Sequence, residues 1–233
     1  FTSENPAVMK AMILAAGRGE RLRPLTDKQP KPLLPVAGKP LIEYTIERLV
    51  SEGFHDLVIN IAYLGAQIKE TLGNGQRFNA KISYSDEGSN PLETAGGIIH
   101  ALPLLGEKPF IVVNGDIATD FNFSTLKKQP IDLAHLILVP NPAHHPHGDF
   151  AIKNTLITEN ASPRYTFSGI GLYHPKLFNN QPVSKSALKP LLQAGIQAKG
   201  ISGELSHDFW LDIGTVERLN QFETQVKKNP IMF

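Results

Sequence analysis

Apolar residues follow two different grains along this chain, and the change falls near residue 130. Residues 11–15 form a short unbroken apolar run before Gly17, the pattern of a strand buried on both faces. Residues 40–53 place Leu41, Tyr44, Thr45, Ile46 and Leu49 near helical spacing and end at Gly53, a residue type that commonly terminates helices. The pattern then predicts a strand at 57–61, a short helix at 64–72 before Gly73, and a strand at 81–84. A helix is expected at 94–102 despite Gly96 and Gly97, then a strand at 110–113 running into Asn114-Gly115-Asp116. Strand and helix in alternation argue for a mostly parallel sheet covered by helices on both faces.

Beyond residue 130 a strand at 133–139 leads into a loop carrying His144, His145 and His147. Short strands of a mixed sheet are expected at 150–152, 155–157 and 165–173, a helix at 186–194, a strand at 209–211 and a closing helix at 216–226. With no internal repeat, low-complexity tract or linker, residues 9–228 read as one domain in two halves, about 9–130 and about 131–228. Residues 1–8 lack periodicity and precede Met9-Lys10; they are expected to be an expression scar, with Met9 the natural start.

Composition narrows the chemistry. The 233 residues contain no cysteine, which excludes a disulfide scaffold, a zinc–thiolate site and a cysteine nucleophile, and fits a reducing compartment. No apolar window reaches the about 18 residues of a membrane span, and no secretory signal pattern opens the chain, so a cytoplasmic location is expected. The net charge of +1 hides an asymmetry: residues 10–40 hold seven basic and two acidic residues, net +5, leaving −4 for the rest. Nucleic-acid binders spread such charge along a face. Here it crowds one glycine- and proline-rich loop, which points to a compact polyanion such as a nucleoside triphosphate and not to nucleic acid.

That loop runs Leu14-Ala15-Ala16-Gly17-Arg18-Gly19-Glu20-Arg21-Leu22-Arg23-Pro24 and continues as Pro30-Lys31-Pro32-Leu33. Gly17 and Gly19 follow a strand, where glycine permits positive φ and lets backbone N–H groups approach phosphate. A dinucleotide fingerprint fails because Leu22 stands where its third glycine belongs, and the Gly-Lys-Ser/Thr of a Walker loop is absent. Pro30 and Pro32 restrict the backbone on both sides of Lys31. Alone, Asp116 reads equally as a turn residue and Asp212 as a helix cap.

Together these strings resemble the sugar-1-phosphate nucleotidyltransferase family, over nearly the whole chain from Met9 to about Lys228. Glu20 departs from the family pattern, which often has Ser or Thr there. The resemblance implies an α/β, Rossmann-like three-layer nucleotide-diphospho-sugar transferase fold with a mixed, mostly parallel central sheet. It implies a nucleoside triphosphate and a sugar 1-phosphate as partners, a nucleotide half followed by a sugar-phosphate half, and Mg2+ as cofactor. The strings 113–116, 144–150 and 166–170 direct it toward members that use UTP. Arg21 would serve the β- and γ-oxygens, and Lys31 the α-phosphate or sugar phosphate. Asp116 and Asp212, each ending a strand-like run at the carboxyl edge of the sheet, would hold Mg2+. Ala15, Ala16, Gly17, Gly19, Glu87, Leu92, Glu93 and Thr94 would meet the nucleotide, and Asn114, Gly148, Asp149, Ser168 and Gly169 the acceptor.

Some residues keep several readings. His144, His145 and His147 with Asp149 fit a metal site, a sugar contact or loop brace, or a solvated loop. Trp210 fits core packing or a wall of the sugar pocket. A thymidylyl-, uridylyl- or guanylyltransferase for glucose or mannose 1-phosphate is the near rival, and a non-catalytic nucleotide-sugar sensor the remote one. Retention of Arg21, Lys31, Asp116 and Asp212 speaks against the sensor. Without the extra C-terminal segment of larger family members, a monomer is expected.

Overall fold

A computed structural model describes residues 9–230; the expectation for residues 1–8 lies outside the described residues. The chain runs β1 (Ala11–Leu14), β2 (Pro35–Val36), β3 (Lys39–Pro40), α1 (Leu41–Ser51), β4 (Asp56–Ile61), α2 (Gly65–Leu72), β5 (Lys81–Asp86), α3 (Glu93–Leu105), β6 (Phe110–Asn114) and β7 (Ile117–Thr119). It continues through β8 (Ala134–Val139), β9 (Ala151–Lys153), β10 (Leu156–Thr158), β11 (Thr166–Tyr173), α4 (Lys189–Gln197), β12 (Ile201–Leu205), β13 (Trp210–Asp212) and α5 (Val216–Lys228).

Nine strands make the central sheet in the order β5-β4-β1-β6-β11-β8-β12-β10-β9. The first four are mutually parallel; β11 runs antiparallel to both neighbours, β12 parallel to β8, and the β10–β9 edge is antiparallel. The expected mixed, mostly parallel sheet is present in the first half, and the grain changes in the second.

Side chains sort by the two-residue period of a strand. On β1, Ala11 and Ile13 join one core and Met12 the other; Leu57, Ile59 and Ile61 of β4 join the first and Val58 the second. On β6, Ile111 and Val113 point one way while Phe110 and Val112 point the other. Both faces are covered, which explains why these strands read as continuous apolar runs. Among the described residues no helix is long and apolar enough to cross a membrane.

Two features correct the sequence reading. Asp212 does not end a strand of the central sheet: β13 pairs with β7 in a separate antiparallel ribbon, with Asp212 opposite Ile117. Asp116 lies in the turn between β6 and β7, two residues past the end of β6. A three-residue strand carries too little pattern to say which sheet it joins. A third core holds the ribbon: Ala118 and Ile213 pack with Leu22 and Leu34 of the glycine-loop region and with Leu219, Phe222 and Val226 of α5. One apolar cluster thereby fixes the loop, the ribbon and α5 relative to one another.

Candidate active site

The chain leaves β1 toward β4 on one side and later places β6 on the other, so the crevice at their carboxyl ends is a topological switch point. A cavity of about 460 Å3 opens there, within the range of small-ligand sites. Its wall contains Ala15, Ala16, Gly17, Gly19, Arg21, Lys31, Glu87, Glu93, Thr94, Asn114 and Asp116 of the expected residues, with Lys185 in addition. A second cavity, of about 290 Å3, shares Asn114 and Asp116 with the first and is bounded by His144, His145, Phe167, Ser168, Trp210 and Asp212. Two chambers meet at one carboxylate.

Only Gly19 of the two loop glycines has positive φ, 69°, correcting the expectation for Gly17. A Cβ on Gly19 would stand 3.0 Å from Thr26 Cγ2 and 3.1 Å from Lys31 Cβ, so glycine there lets the Lys31 stem pack on the loop. At Gly17 a Cβ would meet nothing within 4 Å; its side faces open space in the cavity. Thr26 Oγ1 donates to the Gly19 carbonyl at 2.9 Å. Arg18 is structural: it donates to the Thr26 carbonyl at 2.7 Å and lies over the Tyr63 ring. Glu20 stands 3.8 Å from Arg18 and 3.7 Å from Arg23, an exposed acidic group between two loop arginines.

Arg21 is exposed, lines the cavity and makes no ion pair among the described residues. Lys31 is only 9% exposed, and its Nζ donates to Asp116 Oδ2 at 2.6 Å. Asp212 accepts from Arg218 Nη1 at 2.5 Å. His144 Nε2 approaches its other oxygen, Oδ1, to 3.1 Å, yet Oδ1 is buried without a hydrogen-bond partner. Ile213 N donates to the Asp116 carbonyl at 2.6 Å, which brings the two aspartates side by side. Two hard carboxylates flanking the junction, one with an unsatisfied buried oxygen, fit a Mg2+ that takes its remaining ligands from phosphates and water.

One end of the first cavity is built from a relay. Asn60 Oδ1 accepts from Ala15 N at 2.8 Å, and Asn60 Nδ2 donates to Glu87 Oε1 at 2.7 Å. Glu87 Oε2 accepts from Leu92 N at 2.7 Å. Both Glu87 oxygens are therefore engaged in holding the wall, and Leu92 supports it from behind. A Cβ at Gly97 would come within 2.5 Å of Glu87 Oε1, which explains one of the two glycines inside α3.

Ser168 lines the second cavity, but its hydroxyl donates to the Ile137 carbonyl at 2.6 Å, while its own carbonyl accepts from Trp210 Nε1 at 2.8 Å. Trp210 packs against the core and also walls the second cavity. Gly148, Asp149 and Gly169 border neither cavity. Asp149 accepts from Phe167 N at 2.8 Å and meets His145 at 3.2 Å, bracing the histidine loop. Gly169, at φ 81°, lets Asn114 lie against its backbone. Among the described residues no group of three or more His, Asp or Glu forms a metal cage, so the histidines do not make one. His144 turns instead to Asp212 and Arg218. Arg218 and Lys185 were missed by sequence reasoning, since one lies in a polar helical stretch and the other in an exposed loop.

The nucleotidyl transferase family model matches residues 10–229. The chain is 49% identical over 222 residues to an N-acetylmuramate alpha-1-phosphate uridylyltransferase of Neisseria meningitidis serogroup B, covering 91% of this chain and 96% of that protein. It is 45% identical over 108 residues to a protein of the same name from Caulobacter vibrioides, covering 46% of this chain and 45% of that one. In fold it resembles HddC from Yersinia pseudotuberculosis complexed with GMP-PN, at TM-score 0.76 and 21% identity over 93% of this chain and 99% of that one. A Bacillus anthracis protein described as a glucose-1-phosphate thymidylyltransferase, in complex with sucrose, matches at TM-score 0.82 and 22% identity, over 94% and 95% of the two chains. With its glycine loop, paired aspartates and two joined cavities, this chain belongs to the sugar-1-phosphate nucleotidyltransferase family.

Proposed function

We propose that the chain transfers a uridylyl group from UTP to N-acetylmuramic acid α-1-phosphate, giving UDP-N-acetylmuramic acid and pyrophosphate, a step that would return a cell-wall sugar to its activated form. Identity of 49% across 91% of the chain to the Neisseria uridylyltransferase carries this choice of substrates.

An oxygen of the sugar phosphate attacks the α-phosphorus of UTP, the bond from that phosphorus to the bridging oxygen breaks, and pyrophosphate leaves. The attacking phosphate is already ionised near neutral pH, so no general base is needed. Catalysis then rests on holding two anions in line and stabilising charge on the leaving group. The triphosphate occupies the cavity of Gly17, Arg21 and Lys31, and the sugar the cavity of Ser168 and Trp210. Lys31 neutralises charge where the chambers meet, and Arg21 presents a planar fork to the departing pyrophosphate. Asp116 and Asp212 would hold Mg2+, which supplies charge neutralisation between the phosphates when bound.

Pyrophosphate release measured across four nucleoside triphosphates and a set of sugar 1-phosphates tests the assignment. UTP with N-acetylmuramic acid α-1-phosphate should give the highest kcat/KM. A higher value with glucose or mannose 1-phosphate would replace the substrate while leaving the reaction class in place.

A further inference from the structure

N-acetylmuramic acid α-1-phosphate carries two anionic groups, the phosphate that reacts and the carboxylate of its lactyl ether. The 1-phosphates of glucose, mannose and N-acetylglucosamine carry the phosphate alone. A cavity that selects the first gains from a cationic group set apart from the phosphate end. Among the described residues no lysine or arginine lines the second cavity, and its carboxylates are Asp116 and Asp212. The lining groups able to carry positive charge are His144 and His145. They turn to different partners. His144 meets Asp212 at the junction, where the phosphate would react. His145 meets Asp149, with Nε2 3.2 Å from Oδ1.

The His145 side chain is 41% exposed, yet the loop that carries it is stapled in place. Asp149 Oδ2 accepts at 2.8 Å from the backbone N of Phe167, itself a wall residue of the same cavity, so the carboxylate behind the ring is fixed. Asn141 Nδ2 donates to the carbonyls of Pro146 and Arg164, each at 3.0 Å, and Asn141 Oδ1 accepts from Thr166 Oγ1 at 2.9 Å. Gly148, at φ 60°, lets the loop lie against the chain entering β11, since a Cβ would stand 2.8 Å from Tyr165 N. An ionised carboxylate only accepts, so Nε2 is the donor to Asp149. Nδ1 has no hydrogen-bond partner among the described residues. We propose that His145, seated on Asp149, binds the lactyl carboxylate of the acceptor and so sets the preference for N-acetylmuramic acid over N-acetylglucosamine. This rests on the proposed reaction. The ring, protonated on both nitrogens, lies between two carboxylates, one from the protein and one from the substrate.

Two acceptors that differ only in the lactyl ether test the contact. With UTP as donor, kcat/KM is measured for the α-1-phosphates of N-acetylmuramic acid and N-acetylglucosamine. Where the second is not turned over, its Ki against the first replaces its KM. In His145→Leu the preference for N-acetylmuramic acid should fall about 10- to 100-fold, the scale of one charge-assisted hydrogen bond. The loss should lie in KM for the acceptor, with KM for UTP within about 2-fold of the wild type, because the contact is remote from the reacting phosphate. Asp149→Asn keeps an oxygen for Phe167 N but removes the charge behind the ring, and should lower the preference about 3- to 10-fold. Melting temperatures should match the wild type; if Asp149→Asn unfolds early, His145→Leu decides alone, since its side chain is half-exposed. Unchanged preference in His145→Leu, or equal losses on both acceptors, would overturn the lactyl contact. So would a selective loss in His144→Leu that His145→Leu lacks. Either result leaves UTP and N-acetylmuramic acid α-1-phosphate as the substrates. Failure of the wild type to turn over that pair would overturn the proposed reaction, and the contact with it.

Discussion

Lys31 and Asp116 lie 85 residues apart in sequence and 2.6 Å apart at their charged atoms. The lysine reaches across from the glycine loop to the turn after β6, so the loop's buried cation is held by one of the carboxylates of the junction. The same arrangement recurs nearby, where Arg218 holds Asp212. Cations and carboxylates are thus pre-paired at the place where phosphates and Mg2+ would exchange partners with them.

Replacing Lys31 with Met should separate two effects that usually move together. Turnover should fall by about 10²- to 10³-fold, the scale for losing one preorganised charge-stabilising donor. Mg2+ half-saturation should shift to lower concentration, because Asp116 no longer has a competing cation. Kinetics at varied Mg2+ give both numbers, and a shift to higher Mg2+ would contradict competition between Lys31 and Mg2+ for Asp116.

Arg21→Ala should lower kcat by about 10²- to 10³-fold with little change in stability, because the side chain is exposed and makes no ion pair among the described residues. Saturating kinetics and a thermal melt check both halves. Unchanged turnover would remove Arg21 from the reaction.

Glu87→Gln tests the relay behind the nucleotide wall. The carboxylate accepts from Asn60 Nδ2 and from Leu92 N on different oxygens, whereas a carboxamide has one oxygen for two donors. One contact must break, at a cost of about 1–3 kcal/mol, and KM for the nucleotide should rise more than KM for the acceptor. Equal effects on both substrates would mean that the relay does not shape the first cavity for the nucleotide.

His135 links stability to pH. It is buried at 4% exposure, with Nδ1 2.8 Å from Ser202 Oγ and Nε2 unpartnered, and burial pushes its pKa down to about 4. Between its unfolded value near 6.5 and about 4, the unfolded chain binds the extra proton and the folded one does not. Stability from this site is therefore complete above pH 6.5 and is lost as pH falls through that window, by on the order of 3 kcal/mol. His135→Asn should flatten the slope of denaturant stability over that range; an unchanged slope would assign it to other groups.

Sequence pattern was informative where strands are buried on both faces. β1, β4 and β6 read directly because Ile13, Ile59 and Val113 face one core while Met12, Val58 and Val112 face the other. β12 was not read. Its Ser202 and Gly203 break the apolar run, and Gly203 is there because a Cβ would stand 2.8 Å from the Leu136 carbonyl of the neighbouring strand. The loop residues Arg21 and Lys31 were legible because prolines and glycines concentrate charge in a short span. Arg218 was not, since on α5 it looks like any solvated helical arginine until Asp212 and Gly214 are placed beside it. The role of Glu87 was equally hidden, because a relay through Asn60 and Leu92 has no local spacing to betray it.

The shared junction of the two chambers is tested most directly by a double-mutant cycle on Asp116→Asn and Asp212→Asn, with kcat/KM and Mg2+ binding measured for each variant. Asparagine keeps the shape and removes one negative charge. If both carboxylates hold one Mg2+ between the two phosphates, each single change should weaken Mg2+ binding and sharply reduce kcat/KM. The double variant should then be little worse than either single one, as for residues that act as a unit. Strictly additive losses with unchanged Mg2+ binding would contradict a shared ion, and with it the reaction proposed at this junction.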